Sequence, residues 1–168
     1  QLSESAGFAK LTEPQQKVIN NTLRDFRLSG IALNDADKQR YAELQQKLSE
    51  LTTKFSENVL DASNDWNKLI TDETELSGLP PMALAAAKQL AEAKEKDGWL
   101  LTLDFPSYLP AITYADNREL RKEVYTAFST RASDQGPGEG KWDNSEVMAQ
   151  ILDQRLELAK LLGFDNYA

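Results

Sequence analysis

The groups able to do chemistry in this 168-residue chain are carboxylates, lysines, tyrosines and hydroxyls, because it contains no histidine and no cysteine. That absence removes the usual zinc site, the Ser-His-Asp triad and the Cys-His pair together. It also removes any disulfide framework or thiolate metal site. The remaining acids fall in close sets: Asp61 with Asp65, Asp72 with Glu73 and Glu75, and Glu157. Two converging carboxylates could divide the acid and base roles of a glycosidase-like hydrolysis. The same spacing also describes an ordinary solvated surface, and no pair stands above the others.

A second candidate is the stretch "DQGPGEGK", which invites comparison with a phosphate-binding loop. The comparison fails on register, since the motif needs Ser or Thr after its lysine and Trp142 follows Lys141 here. Glycine and proline content instead predicts a flexible loop over about 132–142. Arg131, Asp134 and Trp142 flank or occupy it and are the candidate site residues. The three tryptophans, Trp66, Trp99 and Trp142, suit core anchors better than a base-stacking platform.

Helices must position these groups. Thr12 and Gln15 form a capping-box pair ahead of "EPQQKVINNTLRDFRLSG", with Pro14 in the first turn, Val18, Ile19, Leu23, Phe26 and Leu28 expected on one face, and Gly30 ending the helix. Asn34 caps the longest element, whose stripe Tyr41, Leu44, Leu48, Leu51, Phe55, Val59 and Ala62 alternates steps of three and four. Short strands are expected at about 66–70 and 99–104, around an alanine-rich helix opened by Pro80 and Pro81. "FPSYLPAITYADN" reads as a short helix or turn. Asp116 with Glu119, and Asp143 with Glu146, repeat the capping logic for two further helices. The last has apolar residues on more than one stripe and is expected to be buried around much of its circumference. The fold class is mainly α, a multi-helix, bundle-like single segment over 1–168 with a possible small two-stranded sheet whose direction is open.

The formal net charge of -8, from 27 acidic and 19 basic residues, speaks against a nucleic-acid partner. No apolar run approaches the roughly 20 residues that span a bilayer, so no membrane partner is expected. Gln1 opens the chain without a basic or apolar leader, and a cut from a longer protein is the favoured origin.

Several blocks, in order and with matching spacing, resemble one family: "RDFRLSGIAL", "YAELQQKLSELTTKFSENVLDASNDW", "LDFPSYLPAITYADNRELRKEVYTAFSTRASDQGP" and "WDNSEVMAQILDQRLELAKLLGFDNYA". Together they resemble the thimet oligopeptidase and neurolysin family of zinc metallopeptidases. The resemblance implies a longer, largely helical, cytoplasmic parent that admits short peptides to a deep channel. It also implies a His-Glu-x-x-His helix and a later glutamate that hold zinc and activate water. None of those residues maps here, so the chain would come from the N-terminal half, upstream of the catalytic helix. It would hold no cofactor itself, while the parent holds zinc. Its helices would form channel wall and scaffold against the remainder of the parent chain. Arg131, Asp134 and Trp142 would face the channel or the other domain, and the isolated segment would be inactive with an uncovered apolar face. The alternative is a free-standing helical interaction module that binds through the Tyr41–Ala62 stripe or the last helix.

Overall fold

The computed structural model describes residues 5–138 and 140–168; the first four residues and loop residue 139, all covered by expectations above, lie outside them. Among the described residues there are six α-helices and one two-stranded sheet, and the contacts divide into two compact units. One unit runs up to Leu51 and resumes over Gln150–Ala168; the other is Thr52–Ala149.

The first unit contains α1 (Glu13–Leu28), the opening half of α2 (Asp35–Asp65) and most of α6 (Ser145–Leu161). Local signals start the first two helices as expected. Gln15 Oε1 accepts from the Thr12 backbone N–H at 3.0 Å, and Asn34 Oδ1 accepts from the Asp37 N–H at 2.9 Å. Both bonds satisfy backbone donors that a helix start leaves without a partner. Tyr41 Oη donates to the Leu28 carbonyl at 3.0 Å, tying α2 to the end of α1. Arg40 Nε donates to Glu157 Oε1 at 2.6 Å, joining α2 to α6.

Burial in this unit is narrower than the sequence predicts. Leu44, Leu48 and Leu51 are buried on α2, and Ile151, Leu158 and Ala159 on α6. By contrast, α1 has no buried residue, and Val18 is 65% exposed. The expectation that α6 is buried on much of its circumference also fails, because Leu152 and Leu156 are exposed. Ile151 and Leu158 are seven positions apart and share a row, whereas Leu152 sits about 100° around the helix from Ile151. An apolar residue is covered only where its row meets a neighbour.

The second unit is built around strands β1 (Asn67–Ile70) and β2 (Trp99–Thr102), which pair antiparallel with Asn67 opposite Thr102 and Ile70 opposite Trp99. Two strands are too few to stand alone. Here α3 (Pro81–Ala93) and α4 (Phe105–Tyr114) pack on β2, and α5 (Arg118–Ser129) packs on α4. Ile70, Leu76, Leu101, Ala111, Leu120 and Val124 form the centre of this core, with Trp66 and Trp99 against it as anchors. The segment "FPSYLPAITY" is a full ten-residue helix that carries Pro110 in its interior.

Two helix starts differ from expectation. The cap of α5 is Asn117, not Asp116: Asn117 Oδ1 accepts from the N–H groups of Glu119 and Leu120 at 3.1 and 3.2 Å. Asp116 is committed elsewhere, since its carboxylate accepts from Ser77 Oγ and its N–H donates to Ser77 O. Helix α6 begins at Ser145, with Asp143 Oδ1 accepting from the Ser145 N–H and Oγ just before it.

Candidate functional site

The loop joining α5 to α6 leaves the helix through Ala132, whose φ of 55° turns the backbone sharply. Its entry is fixed by Arg131. The guanidinium donates to the Phe128 carbonyl and lies 3.9 Å from the Phe128 ring centroid. The other face of that ring stacks on Tyr108 at 3.7 Å, so Phe128 is held between a cation and an aromatic. The exit is fixed by Lys141, whose Nζ contacts Asp65 Oδ1 at 2.7 Å near the end of α2.

Arg131 and Trp142 meet at one cavity of about 100 Å³, lined also by Asp65, Trp66, Thr130 and Pro137. Asp134 does not join them; it is exposed on the loop and outside the lining. The Trp142 Nε1–H is buried and closes no hydrogen bond of full geometry, yet it lies near enough to Asp65 to favour the ionised carboxylate. Lys141 is the main reason Asp65 titrates below the ordinary carboxylate value; desolvation works in the opposite direction.

A held anion beside a cation makes a structural tie, and among the described residues no second carboxylate lines the cavity to complete an acid–base pair. Two of the other acids are also engaged: Asp72 accepts from Thr74, and Glu157 pairs with Arg40. A larger cleft of about 490 Å³ between α3, β2 and α4 is walled mainly by alanine and leucine. Its polar rim is self-satisfied, with Thr102 Oγ1 donating to Asp104 and Ser107 Oγ accepting from the Thr102 N–H.

A zinc site does not fit this chain. Its sequence supplies neither histidine nor cysteine, and among the described residues no three acids gather around a common point.

Asp65, read from the sequence only as one of several paired acids, shapes this region together with Lys141, Asn58 and Asn144, which were not proposed as site residues. One of them had a readable signal. Asn58 continues the spacing Leu51, Phe55, Asn58, Ala62, which places a polar side chain on an apolar stripe. It is buried, as is Asn144, to which it donates at 2.8 Å.

In sequence, the chain is similar to proteins described as peptidases. Residues 111–168 match the model of Peptidase family M3, and the resemblance expected from the quoted blocks runs along 99% of the chain. Similarity to oligopeptidase A covers almost the whole chain. The chain is 60% identical to that protein from Salmonella typhimurium and from Escherichia coli, over 99% of its own length. It is 27% identical to a thimet-like oligopeptidase of Dictyostelium discoideum over 94% of its length, 22% of that protein. The chain spans about a quarter of the length of the oligopeptidase A relatives, 25% in both bacterial cases.

Proposed function

We propose that this chain is a non-catalytic part of a zinc-dependent metallo-oligopeptidase that cleaves short peptides in the cytoplasm. One observation carries the reading: 60% identity to oligopeptidase A over 99% of a chain that lacks every histidine needed for zinc. In this reading the helices are scaffold and channel wall, and the remainder of the parent chain supplies the metal and the general base. The loop from Arg131 to Trp142, with Asp134 at its exposed side, is the stretch assigned to the channel or to the catalytic half. Its two anchored ends support that role, because a wall loop that excludes folded proteins has to hold its shape.

The test compares the full-length gene product with this chain alone on a quenched fluorogenic peptide. The full-length protein should hydrolyse it and lose activity to a zinc chelator, while this chain should release no product. Hydrolysis by this chain alone, or chelator-resistant hydrolysis by the full-length protein, would overturn the reading.

A further inference from the structure

Helix α1 is sixteen residues long and has no buried residue among those described. At 3.6 residues per turn, Val18, Phe26, Ile19 and Leu23 fall within an arc of about 140°, with Lys17 and Arg24 on the opposite side. Val18, Leu23 and Phe26 are 65%, 41% and 53% exposed. An isolated helix of this length is marginal in water, and most helical stability comes from packing an apolar face. The face therefore calls for an occupant.

We infer that the Val18–Ile19–Leu23–Phe26 face of α1 is the surface on which the remainder of the parent chain packs. The inference rests on the reading that this chain is part of a longer peptidase. Patch size and connectivity select that occupant. Four side chains bury on the order of a few hundred Å², well below the roughly 800 Å² per partner of a stable bimolecular interface. A second copy would therefore hold weakly. A covalently joined segment meets the face at an effective concentration on the order of millimolar, so a small patch suffices. The relatives supply the length for such a segment, since this chain spans about a quarter of oligopeptidase A.

The chain has no cysteine, so a single introduced thiol within it reports its own environment. Val18→Cys and Phe26→Cys probe the face, and Lys17→Cys and Arg24→Cys probe the opposite side. All four are placed in the full-length protein and labelled with a maleimide, with the site located by peptide mass spectrometry. In the monomeric fraction, positions 18 and 26 should label about ten-fold more slowly than 17 and 24. Equal labelling at all four positions would overturn the inference. So would protection that appears only as protein concentration rises, which would assign the face to a second copy. Peptide hydrolysis by the same preparations is scored separately. Protected thiols in an inactive protein would count against the peptidase reading alone, and labelled thiols in an active one against this inference alone.

Discussion

Asn58 and Asn144 form a buried amide pair: Asn58 Nδ2 donates to Asn144 Oδ1 at 2.8 Å, with the two residues 4% and 1% exposed. Asn144 completes its set by donating to the Phe55 carbonyl at 3.1 Å, while its own N–H donates to Ala132 O. One side chain thus joins α2 to the residue preceding α6. Buried amides are stabilising only when their bonds are made, since each orphaned group carries its desolvation cost.

Asn144→Ala should therefore destabilise the protein by about 2–3 kcal/mol, and Asn58→Ala by somewhat less, about 1–2 kcal/mol. The double substitution should cost less than the sum, because the pair acts as a unit. Urea midpoints at constant slope measure all three. An Asn144→Ala variant as stable as the parent would mean that the pair contributes nothing net.

The Asp65–Lys141 pair gives a pH dependence with a definite sign. Asp65 titrates lower in the folded chain than in the unfolded one, chiefly through Lys141. Its contribution is present above the unfolded carboxylate pKa and is lost as pH falls through the folded value. Asp65→Asn should remove that part of the acid-side loss and leave the neutral-to-alkaline profile parallel to wild type. Thermal melts across the acid range would show it, and an unchanged acid limb would refute it.

At the start of α5, Asn117→Ala should cost about 1 kcal/mol and Asn117→Asp much less, because only the first removes the oxygen that accepts from two backbone donors. Asp116→Asn should keep helix α5 and weaken only the tie to Ser77. Chemical denaturation of the three variants separates the roles.

These residues also show where the sequence could be read and where it could not. Caps at Thr12 and Asn34 were legible because each depends on residues within one helical turn. Strand location was legible from local pattern, but the antiparallel register of β1 and β2 depends on helices α3 and α4 that cover β2. Asp116 and Asn117 are adjacent acceptors of nearly equal capping strength; Ser77, 39 positions away, decides between them. The apolar face of α1 was visible, but whether anything covers it is a tertiary fact. At the candidate site, residue types pointed to Arg131 and Trp142, which do meet. Asp65 looked like any helix-surface acid until Lys141, 76 positions later, folded onto it.

Two glycines with left-handed backbones should respond differently to a methyl group. At Gly78, φ is +88° and an added Cβ would lie 2.2 Å from the Tyr114 carbonyl oxygen, a backbone atom. At Gly163, φ is +82° and nothing lies within 4 Å. Gly163→Ala should cost only the conformational term of about 1–2 kcal/mol, and Gly78→Ala clearly more. Equal losses at the two sites would show that the Gly78 backbone can yield.

The first unit is discontinuous in sequence, and that sets an order in time. Its Arg40–Glu157 bond joins residues 117 positions apart. At synthesis rates of about 5–20 residues per second, Arg40 waits on the order of 6–23 seconds for its partner. The strand partners of the second unit, Asn67 with Thr102 and Ile70 with Trp99, emerge far closer together. Ribosome-stalled chains with Ala149 clear of the exit tunnel should resist protease across the second unit and remain cleavable within residues 35–51. Equal resistance in both regions would argue against this order. Within this chain, the helices that emerge first are thus the last to be completed, and the interval is one in which a chaperone would find them bare.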